Sequence, residues 1–190
     1  MRIKIGVMGS ADDSLPDGVS ESLREQAERL GHTIASHDAV LLTGATTGLV
    51  YIVGRAAQQA GALHIGISPA SNKPEHKSVF NLPTEACDAI IYTGFGLKGR
   101  NVVLVRSCDI VLFIAGAMGS LNEFTIAHDE GKVIGCLKGT GGVADEMEYL
   151  LQKFSKETGA RIMSETDPEH LLKTCLALYL GGSVGVKNAT

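Results

Sequence analysis

Short apolar runs alternate with longer segments carrying apolar residues at helical spacing, along almost the whole chain. No other feature of the sequence constrains the fold as tightly. A continuous apolar run of about four to eight residues suits a strand buried on both faces, and such strands belong to parallel sheets covered by helices. The runs fall at 3–9, 39–44, 63–69, 89–94, 109–116 and 132–139, with "RIM" at 161–163 as a short edge strand. Helical segments fall at 19–37, 47–62, 97–108, 120–131, 143–159 and 167–180; in the first, Leu23, Ala27, Leu30 and Ile34 recur on one face. The expected fold is α/β: a single doubly wound, mostly parallel sheet with helices on both faces. One domain should span residues 1–182, with 183–190 a flexible tail. Crossovers in such a sheet are right-handed, so a ligand crevice is expected at the carboxyl ends of the strands.

Composition agrees and excludes several classes of function. Aromatic residues make up 5% of the 190 residues, Trp is absent and Gly numbers 23, which favours aliphatic strands and tight turns over an aromatic-rich sandwich. A net charge of −4 without a basic stripe argues against a nucleic-acid partner. No apolar run approaches the length of a membrane span, and "MRIKIGVMGS" reads as a strand because charge interrupts it, not as a leader. Cys87, Cys108, Cys136 and Cys175 form no C-x-x-C pair and have no histidines at zinc-binding spacing, so no metal site is expected. Cys108 and Cys136 are expected to be reduced core thiols, and the protein to be cytoplasmic. Residues 70–88, with two prolines and no periodicity, read as a long loop, a candidate lid or a plain surface excursion.

Three strand-to-helix turns are glycine-rich and should open on the same sheet edge: "MGSADDS" (8–14), "TGATTG" (43–48) and "AGAMGS" (115–120). Such turns aim backbone N–H groups at an anion, and the following helix N-terminus adds partial positive charge. Together they predict a small phosphorylated ligand. Neither G-x-G-x-x-G nor G-x-x-x-x-G-K-[ST] occurs, which sets aside classical dinucleotide binding and P-loop hydrolysis. Asp12 and Asp13 either hold a metal or sugar hydroxyl or cap the first turn. Ser120 to Glu123 spells a Ser-x-x-Glu capping box, so Glu123 is read as a helix cap, as a chemical group, or as both. Arg100 is either a helix-surface cation or a ligand contact, and Met118 either packs on the ligand or fills a gap. His128 reads as a helix-face residue.

The stretch from Gly99 to Glu123 resembles the LOG family, long misnamed lysine decarboxylases, which carries P-G-G-x-G-T-x-x-E after a strand and an Arg-Lys pair on the preceding helix. Here "AGAMGSLNE" and "GRN" occupy those places, "MGS" at 8–10 matches the first turn, and the likeness runs from about residue 3 to 140. The family's Pro and second Gly are Ala115 and Ala117 here, its Thr is Ser120 and its Lys is Asn101. The intact Gly-Arg-Asn is most similar to a sister branch, the molybdenum-cofactor carrier-like proteins. This resemblance implies a Rossmann-like fold and a bound pterin monophosphate or nucleoside monophosphate, with no cofactor required. It nominates Gly9, Ser10, Gly44, Gly48, Arg100, Asn101, Gly116, Met118, Gly119, Ser120 and Glu123 as ligand contacts. If the ligand is cleaved, LOG-like chemistry implies hydrolysis of an N-glycosidic bond, with Arg100 and Glu123 catalytic. Lysine decarboxylation is set aside, since no lysine has a recognisable pyridoxal-phosphate context. The resemblance also implies a homodimer or homotetramer.

Overall fold

The computed structural model describes residues 1–12, 19–154 and 156–181; Asp13 and the expected tail lie outside the described residues. Seven strands form one sheet: β1 (Lys4–Gly9), β2 (Val40–Thr43), β3 (Leu63–Ser68), β4 (Ala89–Tyr92), β5 (Ile110–Ile114), β6 (Val133–Leu137) and β7 (Arg161–Glu165). Their order is β4-β3-β2-β1-β5-β6-β7, and every pairing is parallel. The chain winds outward from β1 to β4, returns to lay β5 on the other side of β1, and winds outward again. This is the doubly wound sheet expected from the apolar alternation. β1 and β5, paired Ile5 to Ile110 through Gly9 to Ile114, mark the switch point.

The helices are α1 (Glu21–Ala35), α2 (Gly48–Gln59), α3 (Lys73–Ser78), α4 (Gly96–Ser107), α5 (Met118–Asp129), α6 (Gly142–Lys153) and α7 (Pro168–Tyr179). One face of the sheet packs Ile5, Val7, Leu41 and Leu112 against Leu30 and Ile34 of α1, Leu49 and Val53 of α2, and Leu171 of α7. The other packs Met8, Phe113 and Ile134 against Leu104 of α4, Phe124 of α5 and Met147 of α6. All five residues of β5 are buried, which is why that run shows no alternation. Cys108 and Cys136 are buried free thiols, and burial pushes both up to about 12.

Three local expectations need correction. The segment 70–88 is not wholly irregular, because it carries the short helix α3. Asn72 caps it by accepting from Glu75 N at 3.0 Å, and Pro74 sits in its first turn, where no N–H is needed. The edge strand is longer than "RIM" and pairs along β6 from Arg161 to Glu165. The third concerns Glu123: α5 begins at Met118 with Ala117 as its N-cap and no side-chain capping bond. Ser120 is therefore already inside the helix, and Ser120 to Glu123 is not a capping box.

Candidate functional site

A cleft of about 600 Å³ lies at the carboxyl ends of β1 and β5, at the switch point where open α/β sheets place ligands. Its floor is built from the ends of β1 and β2, its sides from the first turns of α4 and α5, and one wall from Phe80, Asn81 and Leu82. The expected loop thus contributes directly to the site.

Arg100 projects from α4 into this cleft with its side chain 8% exposed. Gly44, at the end of β2, makes this possible. A Cβ there would lie 1.7 Å from Arg100 Nη1, so the residue is needed for the arginine's approach rather than for a turn of its own. Gly44 was nominated as a phosphate-turn residue, and no feature of "TGATTG" reveals the guanidinium, which comes from 56 residues further on. Arg100 Nε is buried without a hydrogen-bond partner. A buried unpartnered polar atom costs about 1–3 kcal/mol.

Glu123 faces Arg100 from α5, with Oε1 at 3.9 Å from Nη1. That separation is too long for the hydrogen bonds that would offset the burial of two charges. Desolvation prevails: it lifts the Glu123 carboxyl to about 7, against the attraction of Arg100 and Lys98, and pulls Arg100 below its ordinary value. Asn101 completes the group. With its amide nitrogen turned inward it donates to Glu123 Oε1 at 3.1 Å and to the Leu97 carbonyl at 3.0 Å. The asparagine that replaces the LOG family's lysine therefore touches the carboxylate directly. Lys98, absent from the sequence-based nominations, also lines the cleft. Its positive charge in the first turn of α4 was the available signal.

Of the nominated residues, Gly9, Gly44, Arg100, Asn101, Met118, Gly119, Ser120 and Glu123 line the cleft together. Ser10, Gly48 and Gly116 do not; they brace the turns behind it. Ser10 Oγ accepts from Gly116 N at 2.9 Å, tying the end of β1 to the turn after β5. Gly48 has φ +71°, and a Cβ would meet the Ser10 carbonyl at 2.5 Å. His128 packs its ring 6.1 Å from Phe124, away from the cleft lining. Asp12 lines the cleft and its N–H donates to Thr47 Oγ1 at 3.2 Å. Among the described residues no group of three or more His, Cys, Asp or Glu is placed to hold a metal.

The backbone departs from the LOG motif in an unexpected place. Ala117, standing for the motif's second glycine, has φ −118° and needs no glycine freedom. Ala115, standing for the proline, has φ +52°, a value that a proline ring forbids. Ala45, beside Gly44, is also left-handed at +50°. Each costs about 1–2 kcal/mol, and both lie at strand ends bordering the cleft.

Fold and cleft define a doubly wound α/β protein with a buried Arg–Glu pair at its switch point. The chain belongs to the SLOG cluster4 family, whose pattern it matches over residues 2–172. It is 29% identical, over 72% of its length and 80% of the relative's, to an uncharacterised protein of Archaeoglobus fulgidus. Among solved structures, the molybdenum cofactor binding protein of Rippkaea orientalis aligns at TM-score 0.75 and 26% identity, covering 94% of this chain and 98% of that one. The molybdenum cofactor carrier protein of Chlamydomonas reinhardtii aligns at 0.72 and 23%, covering 95% and 99%. DNA processing protein A of Helicobacter pylori, whose structure describes single-stranded DNA binding, shares the fold at 0.62 and 16%, covering 94% and 82%. No described helix is long and apolar enough to cross a membrane.

Proposed function

We propose that this protein binds a phosphorylated, nucleotide-like small molecule in the switch-point cleft, as a carrier of the molybdenum-cofactor type. The observation that carries this reading is the buried, incompletely satisfied Arg100 facing into the cleft beside the first turn of α5. A guanidinium fork with an unused donor and a helix N-terminus both favour an anionic group. The likeness to the Rippkaea orientalis and Chlamydomonas reinhardtii proteins supports a pterin phosphate as the ligand. Gly9, Gly44, Met118, Gly119 and Ser120 contribute walls, Arg100 the charge, and Asn101 and Glu123 polar contacts. A net charge of −4 disfavours a nucleic acid in the same place. The exposed apolar residues Phe95, Leu97, Val102 and Met118 support self-association into a homodimer or homotetramer. Four free thiols accord with a cytoplasmic location.

One observation favours a second reading. A carboxyl held near 7 beside an arginine is poised for acid–base work, so an N-glycosidic phosphoribohydrolase of LOG type is the alternative. Native mass spectrometry of freshly purified protein separates the two, combined with chromatography after incubation with nucleoside monophosphates. A retained pterin or nucleotide with no base released supports the carrier. Base release that is lost in a folded Glu123→Ala variant establishes the hydrolase.

A further inference from the structure

The partners of Asn101 fix which way its amide points. Both protons of its nitrogen have acceptors, Glu123 Oε1 at 3.1 Å and the Leu97 carbonyl at 3.0 Å. A backbone carbonyl has no proton to give, so the amide nitrogen and not its oxygen must face Leu97. The amide oxygen is left for Asn122, whose own amide lies 2.9 Å away. Among the described residues the Asn122 side chain has no other hydrogen bond, so nothing opposes its presenting a nitrogen there.

This chain of amides makes the two carboxyl oxygens of Glu123 unequal. Oε1 receives the Asn101 N–H and faces Arg100 Nη1 at 3.9 Å. Oε2 has no hydrogen bond among the described residues, yet it is not sealed from solvent as Arg100 Nε is, so it opens on the cleft that Glu123 lines. In a neutral carboxyl, one oxygen accepts as a carbonyl and the other carries the hydrogen. We propose that Glu123 serves the cleft as a hydrogen-bond donor: Asn101 holds Oε1 as the acceptor, and the carboxyl proton sits on Oε2, where it meets an oxygen of the bound anion. The inference rests on the reading of the cleft as an anion site and names the atom the ligand must bring, an unprotonated oxygen such as that of a dianionic phosphate monoester.

The charged and titratable groups around Glu123 are few. Helix α4 brings Arg100 and Lys98, whose attraction works against protonation, and the Cys108 thiol stands at its end. Asp12 lines the cleft after β1, whereas Gly44 on β2 and the wall at Phe80, Asn81 and Leu82 bring no charge, and no histidine is among the described lining residues. Burial outweighs both cations and lifts the carboxyl to about 7. An anion beside Glu123 adds negative charge and favours the protonated form further. Binding therefore takes up a proton, and a neutral Glu123 leaves the Arg100 charge to the ligand. A raised carboxyl binds as a donor below 7 and loses that role as pH rises through 7.

Sulfate is the probe, because it carries no proton of its own between pH 6 and 8.5. Calorimetric titration of the whole protein with sulfate should show affinity falling roughly thirtyfold over that range as the carboxyl ionises. At pH 8, buffers of different ionisation heat should report about one proton taken up per sulfate. In Glu123→Gln the amide oxygen accepts from Asn101 and the nitrogen donates from the place of Oε2, so the slope should vanish and sulfate should bind about tenfold or more tighter than to wild type at pH 8.5. Asn101→Leu removes a donor that favours the ionised form, so the midpoint of the slope should move upward; an unmoved midpoint overturns the part given to Asn101. Should Glu123→Gln fail to fold, the wild-type slope and proton uptake still decide. Sulfate affinity independent of pH, or binding without proton uptake, overturns the donor and leaves the anion site standing, whereas sulfate that binds at no pH overturns both.

Discussion

An ion pair lies beside each end of the central strands β1 and β5, and the two pairs are built on opposite terms. At the amino ends, Lys4 Nζ meets Asp109 Oδ2 at 2.6 Å, and the same oxygen accepts Lys4 N at 2.8 Å. Burial works to raise Asp109, but these hydrogen bonds outweigh it and leave the carboxylate below its ordinary value. At the carboxyl ends, Arg100 and Glu123 are more deeply buried, stand 3.9 Å apart, and leave a guanidinium nitrogen unpartnered. Glu123 is driven up to about 7 rather than down. The first pair ties down the frame. The second is maintained at a cost to stability, which is how binding and catalytic groups differ from structural ones.

The largest expected effect breaks the second pair by its neighbour. Gly44→Ala places a methyl where Arg100 Nη1 lies and displaces the guanidinium. Ligand affinity should fall by about a hundredfold or more, roughly 3 kcal/mol, in calorimetric titration with the recovered ligand. Unchanged affinity would mean that Arg100 does not bind.

The next concerns pH. Glu123 is raised from 4.5 to about 7, so its contribution to stability is complete below 4.5 and is lost as pH rises through 7. Urea unfolding of wild type and Glu123→Gln across pH 4.5 to 8 should show wild type losing about 3 kcal/mol relative to the variant. A flat difference would show the carboxyl to be ionised throughout, like Asp109.

Replacing both charges sharpens the contrast further. Arg100→Met/Glu123→Leu should be neutral or about 1–2 kcal/mol more stable, with ligand affinity reduced as in Gly44→Ala. Net destabilisation would put both pairs in the same structural class. The smallest effect is at the other end: Asp109→Asn should cost about 1–2 kcal/mol in urea unfolding at pH 7 and leave ligand binding unchanged. That loss should shrink as pH falls through the depressed Asp109 value, because a lowered carboxylate stabilises only while ionised.

How much of this was legible in the sequence follows from the range of the forces involved. Strand β5 and helix α1 were readable because burial of one face or both imprints a local period on the apolar residues. The start of α5 was misjudged because a Ser-x-x-Glu spacing fits a cap in isolation, whereas the turn after β5 places the helix start at Met118. Ala115 N donates to Thr140 Oγ1 and Gly116 N to Ser10 Oγ, contacts spanning 25 and 106 residues. The helix in 70–88 was missed because prolines read as breakers, while Pro74 occupies a first turn where they are tolerated.

The sequence by itself determined the doubly wound sheet, the face that α1 buries, and the edge on which the glycine-rich turns open, because these follow from local periodicity and the handedness of crossovers. Tertiary structure alone decided that Gly44 makes way for Arg100, that Asn101 touches Glu123, and that His64 and His76 reach the Ala86 and Pro83 carbonyls. Those relations depend on distances between segments 7 to 56 residues apart, which no local pattern encodes and only the tertiary fold can set.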